Sequence, residues 1–281
     1  MSPRESKGEQ MSANRLKVAI AAMDKEGGFV LAEDLVNELR NLIGIVDRLD
    51  REASGGRSTM YLRVVDLSLD SPPTAVFEAC LKADVEDVRE NVMNQAVHLI
   101  RRVQEEEDFD ERLDNQLLKF MEGFARPIGT SVASVQIEAS RESGQATSAL
   151  RDQLTRVTSP IGTYDGFMRG RLEWLNVHGD ARKFRIYPAD QPFLSCHFPE
   201  RMYVEALAAV GKRVQVEGTL QYRLAAKHPH AMEVEKLTPL LPDSELPGFE
   251  DLRGIARDMT GDLLSEEFIR EFRDSKEEGK A

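Results

Sequence analysis

Five histidines and two cysteines are the chain's only imidazoles and thiols, and their spacing gives them little to do together. Cys80 and Cys196 lie in different halves of the chain, which suits buried thiols in a reducing cytoplasm better than a bridge. His228-Pro229-His230 is the one close histidine pair, and two histidines without a third ligand read as a polar hairpin loop. Cys196 and His197 are neighbours, but successive residues of a strand point to opposite faces, so they cannot work as nucleophile and base. The chain holds no G-x-x-x-x-G-K-[ST] phosphate loop, no G-x-G-x-x-G after a strand, no G-x-S-x-G elbow and no H-E-x-x-H. The expectation is a protein that is not an enzyme and uses neither cofactor nor metal.

What the sequence offers instead is recognition chemistry. Lys183, Arg185 and Tyr187 alternate with Phe184 and Ile186, so if the latter pair turns inward the first three share the outer face. Leu194, Cys196 and Phe198 alternate in the same way and leave His197 outside. Trp174 sits on the strand before. Cations for a phosphate backbone and rings for unstacked bases are what single-stranded nucleic acid requires. Trp174, Lys183, Arg185, Tyr187 and His197 are therefore candidate nucleic-acid-binding residues. The alternative is that Trp174 is core and the charged side chains solvate an outer face.

These side chains need a scaffold. Phe167 to Val177, Lys183 to Tyr187, Phe193 to Phe198, Lys212 to Tyr222 and Ala231 to Leu237 read as strands, with a short helix from Glu200 to Val210 between the third and fourth. That order matches the five-stranded OB-fold; an SH3-like barrel competes, and the helix position favours the former. Gly218 would let the fourth strand bend sharply at a barrel corner.

Upstream, Leu35, Val36, Leu39, Leu42, Ile43, Val46 and Leu49 recur at three and four, predicting an amphipathic helix over 32–51. Met60 to Leu69 and Thr74 to Leu81 read as strands, Val85 to Glu105 and Glu111 to Ala125 as helices, and Ser131 to Ala139 as a strand. Asn14 to Asp24 is an apolar-leaning segment, and Gln145 to Val157 fits helix or strand. The fold class is therefore α+β: a disordered start over 1–14, an α/β-mixed N-terminal domain over 15–160, an OB-like barrel with one helix over 164–240, and a linker with a short helical tail over 241–281. Net charge is −12, which opposes non-specific duplex binding. Residues 164–240 escape this, with 11 Lys/Arg against 9 Asp/Glu, whereas residues 243–281 hold 6 against 12. The N-terminus lacks a signal peptide's apolar core and no apolar run spans a bilayer, so the expected location is cytoplasmic, without membrane.

In the tail, Leu252, Arg253 and Ile255 precede a second helical stretch carrying Phe268, Ile269, Arg270, Phe272 and Arg273, anchors spaced to lie in another protein's groove. Folding back on the barrel is the alternative. Asp251-Leu252-Arg253-Gly254-Ile255-Ala256 followed by Leu264-Ser265-Glu266-Glu267-Phe268-Ile269-Arg270 resembles the toxin-wrapping tail of prokaryotic antitoxins that neutralise PIN-domain ribonucleases. Gly170-Arg171-Leu172-Glu173-Trp174, Phe184-Arg185-Ile186-Tyr187-Pro188 and Cys196-His197-Phe198-Pro199-Glu200 are similar to uncharacterised bacterial proteins that carry this tail. The resemblance spans roughly the last 40% of the chain. It implies a regulatory partner of a nuclease, with Arg253, Arg270 or Arg273 entering the nuclease's acidic, metal-binding site. Such antitoxins usually begin with a small DNA-binding domain, whereas this chain begins with a larger α+β domain.

Overall fold

Alternation of Leu16, Val18 and Ile20, each at most 1% exposed, builds the strand on which the N-terminal lobe is organised. The computed structural model describes residues 12–23, 27–82, 85–106, 109, 111–178, 182–189 and 193–241, with Glu245 and Arg270. Most of the expected disordered start lies outside these residues, as do Leu252, Arg253, Ile255, Phe268, Ile269, Phe272 and Arg273; Arg270 is helical and exposed. The chain divides into two units, residues 1–238 and 239–281. Five α-helices and two five-stranded sheets are formed among the described residues, an α+β architecture.

The first sheet comprises β1 (Arg15–Ala22), β2 (Met60–Ser68), β3 (Thr74–Leu81), β4 (Val132–Glu138) and β5 (Ser143–Ala146), in the order β2-β3-β1-β4-β5 and antiparallel throughout. The segment expected only to lean apolar is thus the central strand; its alanines at 19, 21 and 22 blur the period-two signal that Leu16, Val18 and Ile20 carry. Helices α1 (Ala32–Ala53), α2 (Arg89–Glu105), α3 (Asn115–Ala125) and α4 (Ser148–Val157) supply the rest of this core. Two helices begin four residues later than the spacing suggests. In α3 the reason is visible: the Asp114 carboxylate accepts hydrogen bonds from the Gln116 and Leu117 N–H groups and caps the helix there. The ambiguous stretch after 145 resolves into the end of β5 and then α4. At the α1–α3 crossing Gly44 is required, because a Cβ there would lie 2.5 Å from the Phe120 ring.

Two carboxylates are buried under α1, with opposite consequences. Asp50 is fully buried and accepts from the Thr59 N–H (2.7 Å), the Met60 N–H (3.2 Å) and the Thr59 hydroxyl, which fixes the turn into β2. Glu38 is equally buried, yet neither of its oxygens has a hydrogen-bond partner. Burial, reinforced by the nearby Asp34 charge, pushes its carboxyl up to about 9.

The second sheet closes into a barrel in the order β10-β8-β7-β6-β9, built from β6 (Pro160–Asn176), β7 (Lys183–Tyr187), β8 (Leu194–His197), β9 (Arg213–Arg223) and β10 (Ala231–Pro239). β6 pairs antiparallel with β7 and β9, β7 with β8, and β8 runs parallel to β10. The first strand starts at Pro160, earlier than Phe167, because residues 160–166 pair with the far half of β9. The expected single helix is a 3₁₀ turn at Glu200–Met202 continuing into α5 (Tyr203–Ala208), and Met202 and Ala206 enter the barrel core. Gly218 has φ +153°, and any side chain there would collide with the Glu233 carbonyl.

The lobes are joined by the connection between β9 and β10. Leu113 N–H donates to the Ala225 carbonyl (2.7 Å) and Lys227 N–H donates to the Leu113 carbonyl (2.9 Å). The Asn115 side-chain amide donates to the carbonyls of His228 and Pro229, both at 3.0 Å. Ala225 and Ala226 are buried in the N-terminal core and not in the barrel's own.

Glu38 gives this lobe a signed pH dependence. Its folded carboxyl holds a proton that the unfolded chain releases above about pH 4.5, so folding stability declines as pH rises from there toward about 9. The limiting slope is about 1.4 kcal/mol per pH unit. Glu38→Gln should flatten the decline, so its melting temperature exceeds that of the unmodified protein more at pH 8 than at pH 5. Thermal melts of the two proteins with identical pH slopes would contradict this.

Candidate functional site

Register on the barrel decides which side chains meet. Trp174 pairs with Arg185, Arg185 with Ser195, and Lys183 with His197, so the outer faces of β6, β7 and β8 form one surface. Phe184, Ile186, Leu194 and Cys196 are fully buried beneath it, while Trp174, Lys183, Arg185, Tyr187 and His197 are half-buried on the outside. All five sequence candidates therefore share a face, and Trp174 is part of that face rather than of the core.

Arg185 is the centre of the arrangement. Its guanidinium carbon stands 4.6 Å from the Trp174 ring centroid and 4.5 Å from that of Phe193, so the group lies between two rings. Both distances are within cation–π range. Tyr187 extends the row, its ring 6.2 Å from Phe193 and inclined by 52°. Stacking of the guanidinium occupies its flat faces and leaves its N–H edges to donate. Register also brings Arg171 opposite Tyr187, and its Nε lies 3.5 Å from Glu173. Sequence reasoning missed Phe193 and Arg171. Phe193 was legible, since a residue next to the buried Leu194 must point outward; Arg171 depended on a register shift at Glu173.

The other half of the site comes from the N-terminal lobe. Arg185 and Phe193 line a cleft of about 730 Å³ whose other lining residues include Arg40 of α1, Lys119 and Phe120 of α3, and Arg126 just after α3. Glu33 and Asp34 also line it, so four cations stand against two carboxylates. Asn37, Asn41 and Gln116 add amides. No salt bridge engages Arg40, Lys119, Arg126 or Arg185 among the described residues. A cleft with cations on both walls and one ring on each, Phe193 and Phe120, suits an anionic ligand with flat, stackable parts. No periodicity or motif marks Arg40, Lys119 or Arg126 as a group; packing of α1 against α3 brings them together, and docking of the barrel sets Arg185 opposite.

The remaining chemistry candidates stay apart. Cys196 is fully buried, and burial raises its thiol far above the ordinary range, while His197 faces outward. Among the described residues no three His, Cys, Asp or Glu side chains gather as a metal site, and no helix is long and apolar enough to cross a membrane. Comparison with models of known protein families and with curated proteins finds no match.

The two thiols should behave differently. Cys80 is half-buried on the sheet face opposite the helices and Cys196 is sealed in the barrel. A thiol reagent should modify Cys80 in the native protein and reach Cys196 only after unfolding, with Cys80→Ser leaving no native reaction. Rapid native labelling of the Cys80→Ser protein would mean that the barrel core is open.

Proposed function

We propose that this protein binds single-stranded nucleic acid along the face of β6, β7 and β8, in the cleft that the face shares with α1 and α3. The observation that carries the reading is Arg185 held between Trp174 and Phe193, with Tyr187 beside them. Strand order, the parallel β8–β10 pair and the position of the helix favour an OB-like barrel, whose second and third strands are its usual ligand face. Bases stack on Trp174, Phe193 and Tyr187, while Arg185, Lys183 and the cations across the cleft take the phosphates. The binding is recognition without catalysis.

Trp174 is the only tryptophan, so its emission reports on the site directly. Titration with an unlabelled single-stranded oligonucleotide should quench it, with affinity that falls as salt rises and is weaker for duplex. Tyr187→Ala should weaken binding about 5- to 100-fold, the range of one lost stacking contact, and Arg185→Ala should weaken it and lower its salt dependence. Unchanged emission together with no gel shift at low salt would sink the reading.

A second reading rests on the tail's sequence. Residues 243–281 bind and inhibit a protein partner, a PIN-domain nuclease by the antitoxin resemblance, using apolar anchors at Leu252, Ile255, Phe268, Ile269 and Phe272 and an arginine among Arg253, Arg270 and Arg273. Removal of residues 243–281 should then abolish recovery of a nuclease from the native host while leaving oligonucleotide binding unchanged. Equal recovery by both proteins would remove the tail from the account.

A further inference from the structure

β2 forms one margin of the N-terminal sheet, and among the described residues no strand pairs with its outer edge. Soluble proteins usually keep such edges short, charged or broken by proline. This one runs nine residues and exposes Val64 (56%) and Leu67 (52%), with Leu69 (71%) just beyond its end. An open edge lined with apolar side chains is a template for an added strand.

The facing of the residues identifies which strand. Leu62, Val64 and Leu67 pair with the buried Ala79, Phe77 and Ala75 of β3, so they lie on the helix-covered side. Arg63 and Asp66 pair with Glu78 and Val76 and lie on the open side. A bulge at Val65 makes this possible. In a regular strand Leu62 and Leu67 would face opposite ways; the extra residue returns them to one side.

Two identical strands paired antiparallel about a two-fold axis must set like faces together. With the axis between Val64 and Val65, Leu62 meets Leu67 of the second copy, Arg63 meets Asp66, and Met60 meets Leu69. Apolar residues oppose apolar residues, and each arginine opposes a carboxylate. A shift of one residue in either direction sets Leu62 against Asp66 or Arg63 against Leu67 and mismatches the faces. Beside the strand lies a groove of about 460 Å³, lined by Ile43, Met60, Leu62 and Phe120 and rimmed by Arg40, Asp47 and Lys82; in this register Leu69 of the second copy would fall opposite Met60, on the groove's lining. Asp66 has no ion-pair partner within its own chain among the described residues, and the Arg63 it would face is already bound by Glu78, so Asp66 would join an existing pair as a second carboxylate.

We infer that β2 is a seam at which two copies of this chain pair edge to edge, joining their sheets into one. The pairing is independent of the cleft, since the groove shares only Arg40 and Phe120 with it.

Sedimentation equilibrium of the full chain tests it. The unmodified protein should run at twice the chain mass. Leu67→Lys should weaken self-association about a hundredfold or more, because two buried leucines become two buried cations. Asp66→Lys, on the polar open face, should weaken it severalfold, with the circular dichroism of the folded chain unchanged in both. A monomer at every concentration would overturn the inference, and so would a dimer that neither substitution disturbs.

Discussion

The backbone clasp between Leu113 and the β9–β10 connection is the constraint from which the working surface follows. Two short hydrogen bonds and the burial of Ala225 and Ala226 place a piece of the barrel inside the other lobe's core. Each such bond contributes only about 0.5–1.5 kcal/mol. Their geometry nevertheless orients the barrel so that Arg185 faces α1 and α3. The connection between β9 and β10 is committed to docking, which leaves Arg185 and Phe193 of the strand face to line the cleft.

Electrostatics follow from the same docking. A chain of net charge −12 repels polyanions at long range, yet Arg40, Lys119, Arg126 and Arg185 converge on one concavity. A cleft with low-dielectric walls focuses the field of the charges that line it. Beyond about 10 Å at ordinary ionic strength the rest of the surface is screened. Local sign therefore outweighs net sign. The Trp174 and Phe193 rings hold the Arg185 guanidinium in place within the free chain.

Period-two alternation made the barrel legible: Phe184, Ile186, Leu194 and Cys196 are inside, and the candidates between them are outside. Long helices with regular spacing were equally plain. Less legible were elements whose limits depend on one hydrogen bond or one residue of register. Asp114 starts α3 by capping it, a role shared by many aspartates that cap nothing. β1 is central yet alanine-rich. The cleft's second wall was beyond reach, because Arg40 of α1 meets Lys119 of α3 and Arg126 just after it only through the packing of two helices about eighty residues apart, and Arg185 joins them only when the barrel docks.

That distance also has a temporal side. Leu113 is synthesised long before Ala225, and ribosomes add about 5–20 residues per second, so the gap is on the order of ten seconds. Over that interval the N-terminal lobe is held with an unfilled seam, its Leu113 amide and carbonyl unmatched and its apolar floor open where Ala225 and Ala226 will lie. Until the barrel leaves the ribosome the Leu113 amide and carbonyl have only water for partners, and the arrival of the β9–β10 connection closes that seam.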